Sequence, residues 1–308
     1  MRTVTVTEMN TLEDIQVTAH SKEPMPKSNY AAELERECSV IEPEAEWHAS
    51  ELLEHWRYRE LLYFLVWRDI AVRYKQSLLG AAWAVLQPLA MMCVFSLFFI
   101  GVAEMPAGGL PYPLFVLAGI LPWFFFANGL TSASQSVVGN QNLVTKIYFP
   151  RLLIPMGAVL AGFVDLVISM VLLVLAMVIY RVHPGWNAML VPLMLIGLAT
   201  MTMGAGFLLS ALTVQYRDFR HVVPFMLQLC MFATPSIYMA GTGSLAPQLQ
   251  ALLPFNPMYG LILNFRVAIV GGEFDVYSLS ISMLMSLLLL VMGYWYFRRV
   301  ERSFADII

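Results

Sequence analysis

The feature that most constrains this chain is the recurrence of almost uncharged apolar stretches as long as a lipid bilayer is thick. Six of them cover residues 83–103, 112–134, 152–180, 188–213, 222–241 and 278–297. About 20 helical residues cross the hydrocarbon core, so each stretch is long enough to span. One water-soluble core cannot hold six such segments. The composition agrees, with 59% apolar residues, 13% charged residues and a mean hydropathy of +0.68. The expected fold is an all-α integral membrane protein with six transmembrane helices.

A seventh stretch, 252–270, is apolar enough to raise the count, yet it holds Pro254, Asn256, Pro257, Asn264 and Arg266. Basic residues decide its status, because Lys and Arg concentrate on the cytoplasmic side. Six spans place twelve of them inside: Arg57, Arg59, Arg68, Arg73, Lys75, Lys146, Arg151, Arg217, Arg220, Arg298, Arg299 and Arg302. Only Arg181 and Arg266 then lie outside. A seventh crossing would carry the last three arginines to the wrong side. Residues 252–270 are therefore expected to enter the outer leaflet as re-entrant helices and leave on the same side, with both termini cytoplasmic. Irregular backbone at that depth must be buried in protein or line a water-filled cavity.

Before the spans the character changes twice. The first 50 residues carry ten acids against four bases, a charge of −6 in a chain whose total is −3. Residues 1–46 lack hydrophobic periodicity and read as a disordered acidic cytoplasmic tail. Residues 47–80 read as an amphipathic interface helix. Its longest apolar run, Leu61 to Trp67, is too short to cross, and its Trp, Tyr and Arg content suits the headgroup level. Residues 81–308 form the six-span domain.

The chain carries no sequence signature of catalysis. It has no GxxxxGK[ST] phosphate loop, no HExxH and no GxSxG, and its three cysteines lack metal-ligand spacing. No catalytic residue, metal or resident cofactor is expected, and uphill transport must draw energy from a partner or an ion gradient. Asp165 is the clear ionisable residue within a span. It reads as a helix-packing or dimer contact, or as a proton site, with no partner visible in the sequence. The loop 139–151 opens with polar residues, contains the amphipathic piece Leu143 to Phe149 and breaks at Pro150. It suits a short helix at the membrane surface, either pushed by a soluble engine or resting on anionic headgroups.

Several motifs carry a family resemblance. Arg68-Asp69, Arg73-Tyr74-Lys75-Gln76 and the run from Leu79 to Leu89 resemble the RDxxxRYxxSxLGxxWxxLxPL signature of permease subunits in type-2 ABC exporters of surface polysaccharide. Downstream, Asn142 to Lys146 with Phe149-Pro150-Arg151 resembles the coupling loop of that family. Tyr216-Arg217-Asp218-Phe219 resembles its second cytoplasmic loop, Pro235 to Tyr238 its fifth span, and Asn256-Pro257 through Arg266 its re-entrant segment. The resemblance covers residues 51–305, and the acidic tail departs from it.

The resemblance implies a homodimer in the bacterial inner membrane, joined to two ATPase subunits that hold ATP and magnesium. The implied cargo is a lipid-linked glycan such as O-antigen, capsule or a teichoic acid precursor, and no nucleic acid is involved. Leu143, Lys146, Tyr148, Phe149 and Arg151 would then contact the ATPase. Tyr74, Trp83 and Gln87 would line the inner mouth of a glycan channel, and Tyr112, Trp123, Phe124, Tyr238 and Tyr259 the outer one, by stacking on sugar rings. Arg59, Arg68 or Arg73 would meet a lipid pyrophosphate. The rival readings are a type-2 exporter of a small molecule and an ion-coupled carrier without an ATPase.

Overall fold

The computed structural model describes residues 57–75, 80–102, 110–147, 149–238, 252–302 and 304, so the expected acidic tail lies outside the described residues. These residues are all-helical. In chain order they form α1 (Arg59–Lys75), α2 (Ala82–Val102), α3 (Tyr112–Gly139), α4 (Gln141–Lys146), α5 (Leu153–Ile179), α6 (Val191–Gln215), α7 (Phe219–Ala233), α8 (Pro257–Val270) and α9 (Val276–Glu301). Short 3₁₀ turns at Trp186–Leu190 and Leu253–Phe255 lead into α6 and α8.

Among the described residues, four helical segments are long and apolar enough to cross a bilayer: Tyr112–Gly139, Leu153–Ile179, Trp186–Gln215 and Val276–Glu301. They hold one another as a bundle, with α3 packed on α5 and α6, and α6 packed most extensively on α9. Large apolar residues such as Val171, Val178, Ile196, Leu284 and Val291 stay exposed on its flanks. That is the pattern expected where lipid, not water, is the solvent.

Local chemistry sets the helix ends. Pro111 precedes α3, whose first turn can spare the missing N–H. Asn256 caps α8, its side chain accepting from the Met258 N–H at 3.0 Å, and Asp275 caps α9 by accepting from the Ser278 N–H at 3.1 Å. Gly271, at φ 93°, ends α8 in a conformation that L side chains rarely adopt. The expected fifth span, 222–241, ends as a helix at Ala233. Thr234 is extended there (φ −100°, ψ 128°) because the ring of Pro235 disfavours helical backbone in the residue before it.

The buried core falls into tiers. At the end that carries α4, Leu65, Val144, Phe149, Leu152, Val214, Phe297, Val300 and Phe304 pack together. A central tier holds Trp123, Phe125, Phe126, Val159, Met201, Met258, Leu261 and Ile262. The far end holds Leu114, Leu121, Leu173, Met177, Met194, Phe265 and Ile269. Helix α8 thus contributes to the central and far tiers and not to the α4 end. Both Leu65, near the start of the described chain, and Phe304, near its end, belong to the α4 tier.

Helix α1 does not lie across the bundle. Leu65 packs against Gly157 of α5, and eight residues later Arg73 meets Asp165, eight residues on in α5. The two helices therefore advance in step, side by side. Tyr63, Phe64 and Trp67 project from α1 on the exposed side. Of the expected interface helix 47–80, the described part is helical over Arg59–Lys75 and runs along α5, with its apolar and polar side chains only weakly segregated.

Candidate functional site: a polar cleft closed by an ion pair

Helices α1, α2, α3 and α5 enclose a cleft of about 330 Å³. Its wall combines Trp83, Phe124 and Phe125 with Gln87, Asn128, Thr131, Ser132 and Ser169, and its charged lining residues are Arg73 and Asp165. Gln87 and Asn128 are exposed, while the Thr131 and Ser169 hydroxyls bond to backbone carbonyls, so the wall offers polar groups beside apolar rings.

One carboxylate joins α1 to α5 in the cleft lining. The Arg73 guanidinium donates to Asp165 Oδ2 and the Tyr74 hydroxyl donates to Asp165 Oδ1, so adjacent residues of the last turn of α1 grip both oxygens. Asp165 lies twelve residues into α5, about 18 Å along its axis. The sequence showed no partner for this acid, and the structure supplies two. A tyrosine hydroxyl is neutral at physiological pH, so Tyr74 acts here as a donor. Ser169 fixes the adjoining turn, its hydroxyl lying 2.8 Å from the Ala84 carbonyl of α2 and from the Asp165 carbonyl.

Of the residues expected along a substrate path, Tyr74, Trp83, Gln87 and Phe124 come together here. The others do not. Trp123 is 3% exposed and packs against Phe126 in the central core, since its position on α3 faces the neighbouring helices. Tyr112 donates to the Ile237 carbonyl (3.0 Å), Tyr238 to the Phe232 carbonyl (3.2 Å), and Tyr259 sits half-buried in the first turn of α8. Of the three head-group arginines, Arg73 lines the cleft, Arg68 pairs with Asp69 at 2.8 Å, and Arg59 lies fourteen residues before Arg73, about 21 Å along α1. The polar wall was missed, although Asn128, Thr131, Ser132 and Gln135 fall at i, i+3, i+4 and i+7 of one apolar helix. That stripe was the signal that could have found it.

The loop expected to contact an engine divides in two. Its helix is α4, ending at Lys146, with Ile147 extended (φ −129°, ψ 133°). Phe149 is 6% exposed and is spent on the chain's own core, as is Val144. Arg151 is tied to the last turn of α9, its N–H donating to Glu301 Oε1 at 2.8 Å and its guanidinium to the Glu301 carbonyl. Glu301 also pairs with Arg298 at 3.2 Å. Leu143 is half-buried, and Lys146 and Ile147 are exposed at the tip. Tyr148 lies outside the described residues.

A second polar knot joins α8 to the end of α7. Arg266, 6% exposed, donates to the Ser236 carbonyl at 2.8 Å and stacks over the Phe115 ring at 3.7 Å. Asn256 bonds to Thr234 at 2.9 Å. Gly119 of α3 leaves the room: a Cβ there would overlap both the Ser236 carbonyl and the Arg266 guanidinium. The knot immobilises the expected re-entrant segment against α3 and α7.

Among the described residues, no group of three or more His, Cys, Asp or Glu is placed to hold a metal ion. Comparison with known proteins fits a transport role for this architecture. The chain is 31% identical over 213 residues to the O-antigen export system permease protein RfbA of Myxococcus xanthus, covering 69% of this chain and 81% of that protein. It is 26% identical to the RfbA of Klebsiella pneumoniae over 81% of this chain and 95% of that protein. With the polysialic acid transport protein KpsM of Escherichia coli the identity is 23%, over 77% of this chain and 92% of that protein. The sequence profile of the ABC-2 type transporter family matches residues 60–270, which takes in the cleft, its ion pair, the α4 loop and α8. The chain therefore belongs to the ABC-2 type transporter family.

Proposed function

We propose that this chain is the permease subunit of an ATP-driven exporter of lipid-linked polysaccharide, working as a homodimer in the bacterial inner membrane. Two separate ATPase subunits would supply ATP and magnesium. The observation that carries this reading is the cleft, whose aromatic faces and hydroxyl-bonding groups match the two faces of a sugar ring. The cargo of the relatives is of the same kind.

Six crossings account for the chain best. Helix α2 spans about 31 Å and suffices, whereas α7 and α8, with 15 and 14 residues, reach only about 22 and 21 Å, so length does not separate the fifth crossing from the re-entrant segment. The absence of α8 side chains from the α4 tier supports a segment that enters and returns. The shared tier of Leu65 and Phe304 supports termini on one side. A reporter fused after Ile308 is expected to give a cytoplasmic signal, and a periplasmic signal overturns the six-span topology.

A polymer longer than the membrane is thick advances by weak, repeated contacts. Stacking on Trp83 and hydrogen bonding to Gln87 would supply some of these. The test is coexpression with the neighbouring ATPase gene, followed by gel analysis of surface polysaccharide. Trp83→Ala and Gln87→Ala together are expected to slow export of long chains about tenfold, the loss of roughly one good stacking contact. Unchanged export in the double variant removes the cleft from the path.

A further inference from the structure

We infer that Arg73 and Tyr74 form a binding site for the phosphate head group of the lipid-linked cargo, and that Asp165 is the internal anion such a phosphate displaces. This rests on the reading of the chain as an exporter of a lipid-linked glycan.

Geometry comes first. Two donors from adjacent residues converge on the two oxygens of one anion, which is also how a phosphate would be gripped. The pair is open to the cleft, with 33% of the Arg73 side chain and 24% of the Asp165 side chain exposed, so a ligand reaches the guanidinium without unfolding α1. A tether between helices does not need such access.

Charge comes second. Arg73 is the one cation and Asp165 the one anion among the cleft's lining residues, so together they leave it neutral. A neutral cleft lets uncharged sugar units pass and gives no standing attraction for an anion. An arriving phosphate competes for the same guanidinium, and a diphosphate brings more charge and more acceptor oxygens than a carboxylate does. The Tyr74 hydroxyl, neutral at physiological pH, can donate to either anion.

The exchange has a mechanical consequence. Leu65 against Gly157 holds the first half of α1 on α5, and the Asp165 contacts hold its last turn. A phosphate that takes Arg73 and Tyr74 frees that turn from α5 where the two helices line the cleft. Head-group arrival and widening of the entrance then become one event, of a size set by the phosphate's preference for the freed state.

The test uses the full chain with its ATPase partner in phosphatidylcholine nanodiscs, titrated with inorganic pyrophosphate and, separately, with a polyprenyl diphosphate in the disc. Asp165→Asn keeps the shape and removes the competing charge. It is expected to bind both probes about tenfold more tightly than the wild type, and Arg73→Gln in the same background is expected to abolish the gain. Tyr74→Phe, which removes only a hydroxyl, is expected to weaken binding several-fold. Thermal unfolding of each variant confirms that it is folded. Equal binding by wild type and Asp165→Asn, or a gain that survives Arg73→Gln, overturns the proposal. A gain with pyrophosphate alone overturns the assignment to a lipid head group. Wild-type glycan export is measured in cells that express the same chain with its ATPase partner, from their surface polysaccharide: if export proceeds but the anion effects are absent, the site falls and the exporter reading stands. If no export occurs, the exporter reading falls whatever the anions do.

Discussion

Reversing the exposed tip of the α4 loop with Lys146→Glu and Ile147→Asp is expected to cut glycan export about a hundredfold while leaving the amount of permease in the membrane unchanged. The loop's residues do two kinds of work. Val144, Phe149 and Arg151 are committed inward, to the aromatic tier and to Glu301. Lys146 and Ile147 make no such commitment and stand exposed. Changes at exposed positions away from caps and cores cost within about 0.5 kcal/mol of stability. At an interface, an apolar anchor and a basic residue facing acids can carry about 2–3 kcal/mol, equal to roughly a hundredfold in affinity. Export is read from surface polysaccharide, permease abundance by immunoblot, and ATPase docking by co-purification. Wild-type export in the double variant would place the contact elsewhere. Deletion of 143–151 is a poorer experiment, since it also removes Phe149, whose loss alone costs about 3–5 kcal/mol. Phe149→Ala is thus expected to act through the fold, with protein lost along with transport.

The division between tip and root shows what a sequence can and cannot disclose. Hydropathy placed the membrane-level helices within a few residues: 152–180 became Leu153–Ile179 and 278–297 became Val276–Glu301. It overran at the fifth stretch because Ile237 and Tyr238 are apolar whether or not they are helical, whereas Pro235 had already ended the helix. Turn chemistry outweighed composition there. The loop at 139–151 was legible as a helix broken near Pro150, but periodicity could not tell that Phe149 would turn inward. That depends on Phe297 and Phe304, about 150 residues away in the chain.

The cleft was half legible for the same reason. Aromatics at span ends are visible in a sequence, so Tyr74, Trp83 and Phe124 could be singled out, and Gln87 with them as a polar residue one turn beyond Trp83. A glycan path and an interfacial anchor use the same residue types, so Trp123, Tyr238 and Tyr259 were indistinguishable from them. Asp165 read as a carboxylate without a partner because its partners lie 91 and 92 residues earlier, in a helix whose character pointed to the membrane surface. Arg266 is parallel: it was read as an outside charge within a re-entrant segment, but its contact with the Ser236 carbonyl, 30 residues earlier, was not. Charges inside a membrane fold are paired through tertiary structure, which pattern reading along one chain does not reach.

Gly204→Val is expected to dismantle the bundle. A Cβ at Gly204 would overlap the backbone of Leu289 and Leu290, and one at Gly293 would overlap the Gly204 carbonyl, so α6 and α9 touch backbone to backbone. Backbone atoms cannot rotate aside as a side chain does. The buried Ser278, Ser282 and Ser286 continue the small-residue face of α9. Between helices in lipid there is no hydrophobic gain to recover, because lipid tails are as apolar as leucine, and close packing is what holds them together. Forcing a valine into this contact costs at least the ~1–3 kcal/mol of an overpacked core, and it strikes the most extensive helix pair in the fold. The expected result is a fall in Tm of ten degrees or so in detergent and loss of the permease to proteolysis in cells. Gly139→Ala is the control, since a Cβ there meets nothing within 4 Å, and its Tm is expected to match the wild type. A Gly204→Val protein with wild-type Tm would mean that α6 and α9 do not approach this closely. The shared tier of α5, α6, α9 and the α4 loop, on which the coupling argument relies, would fail with it.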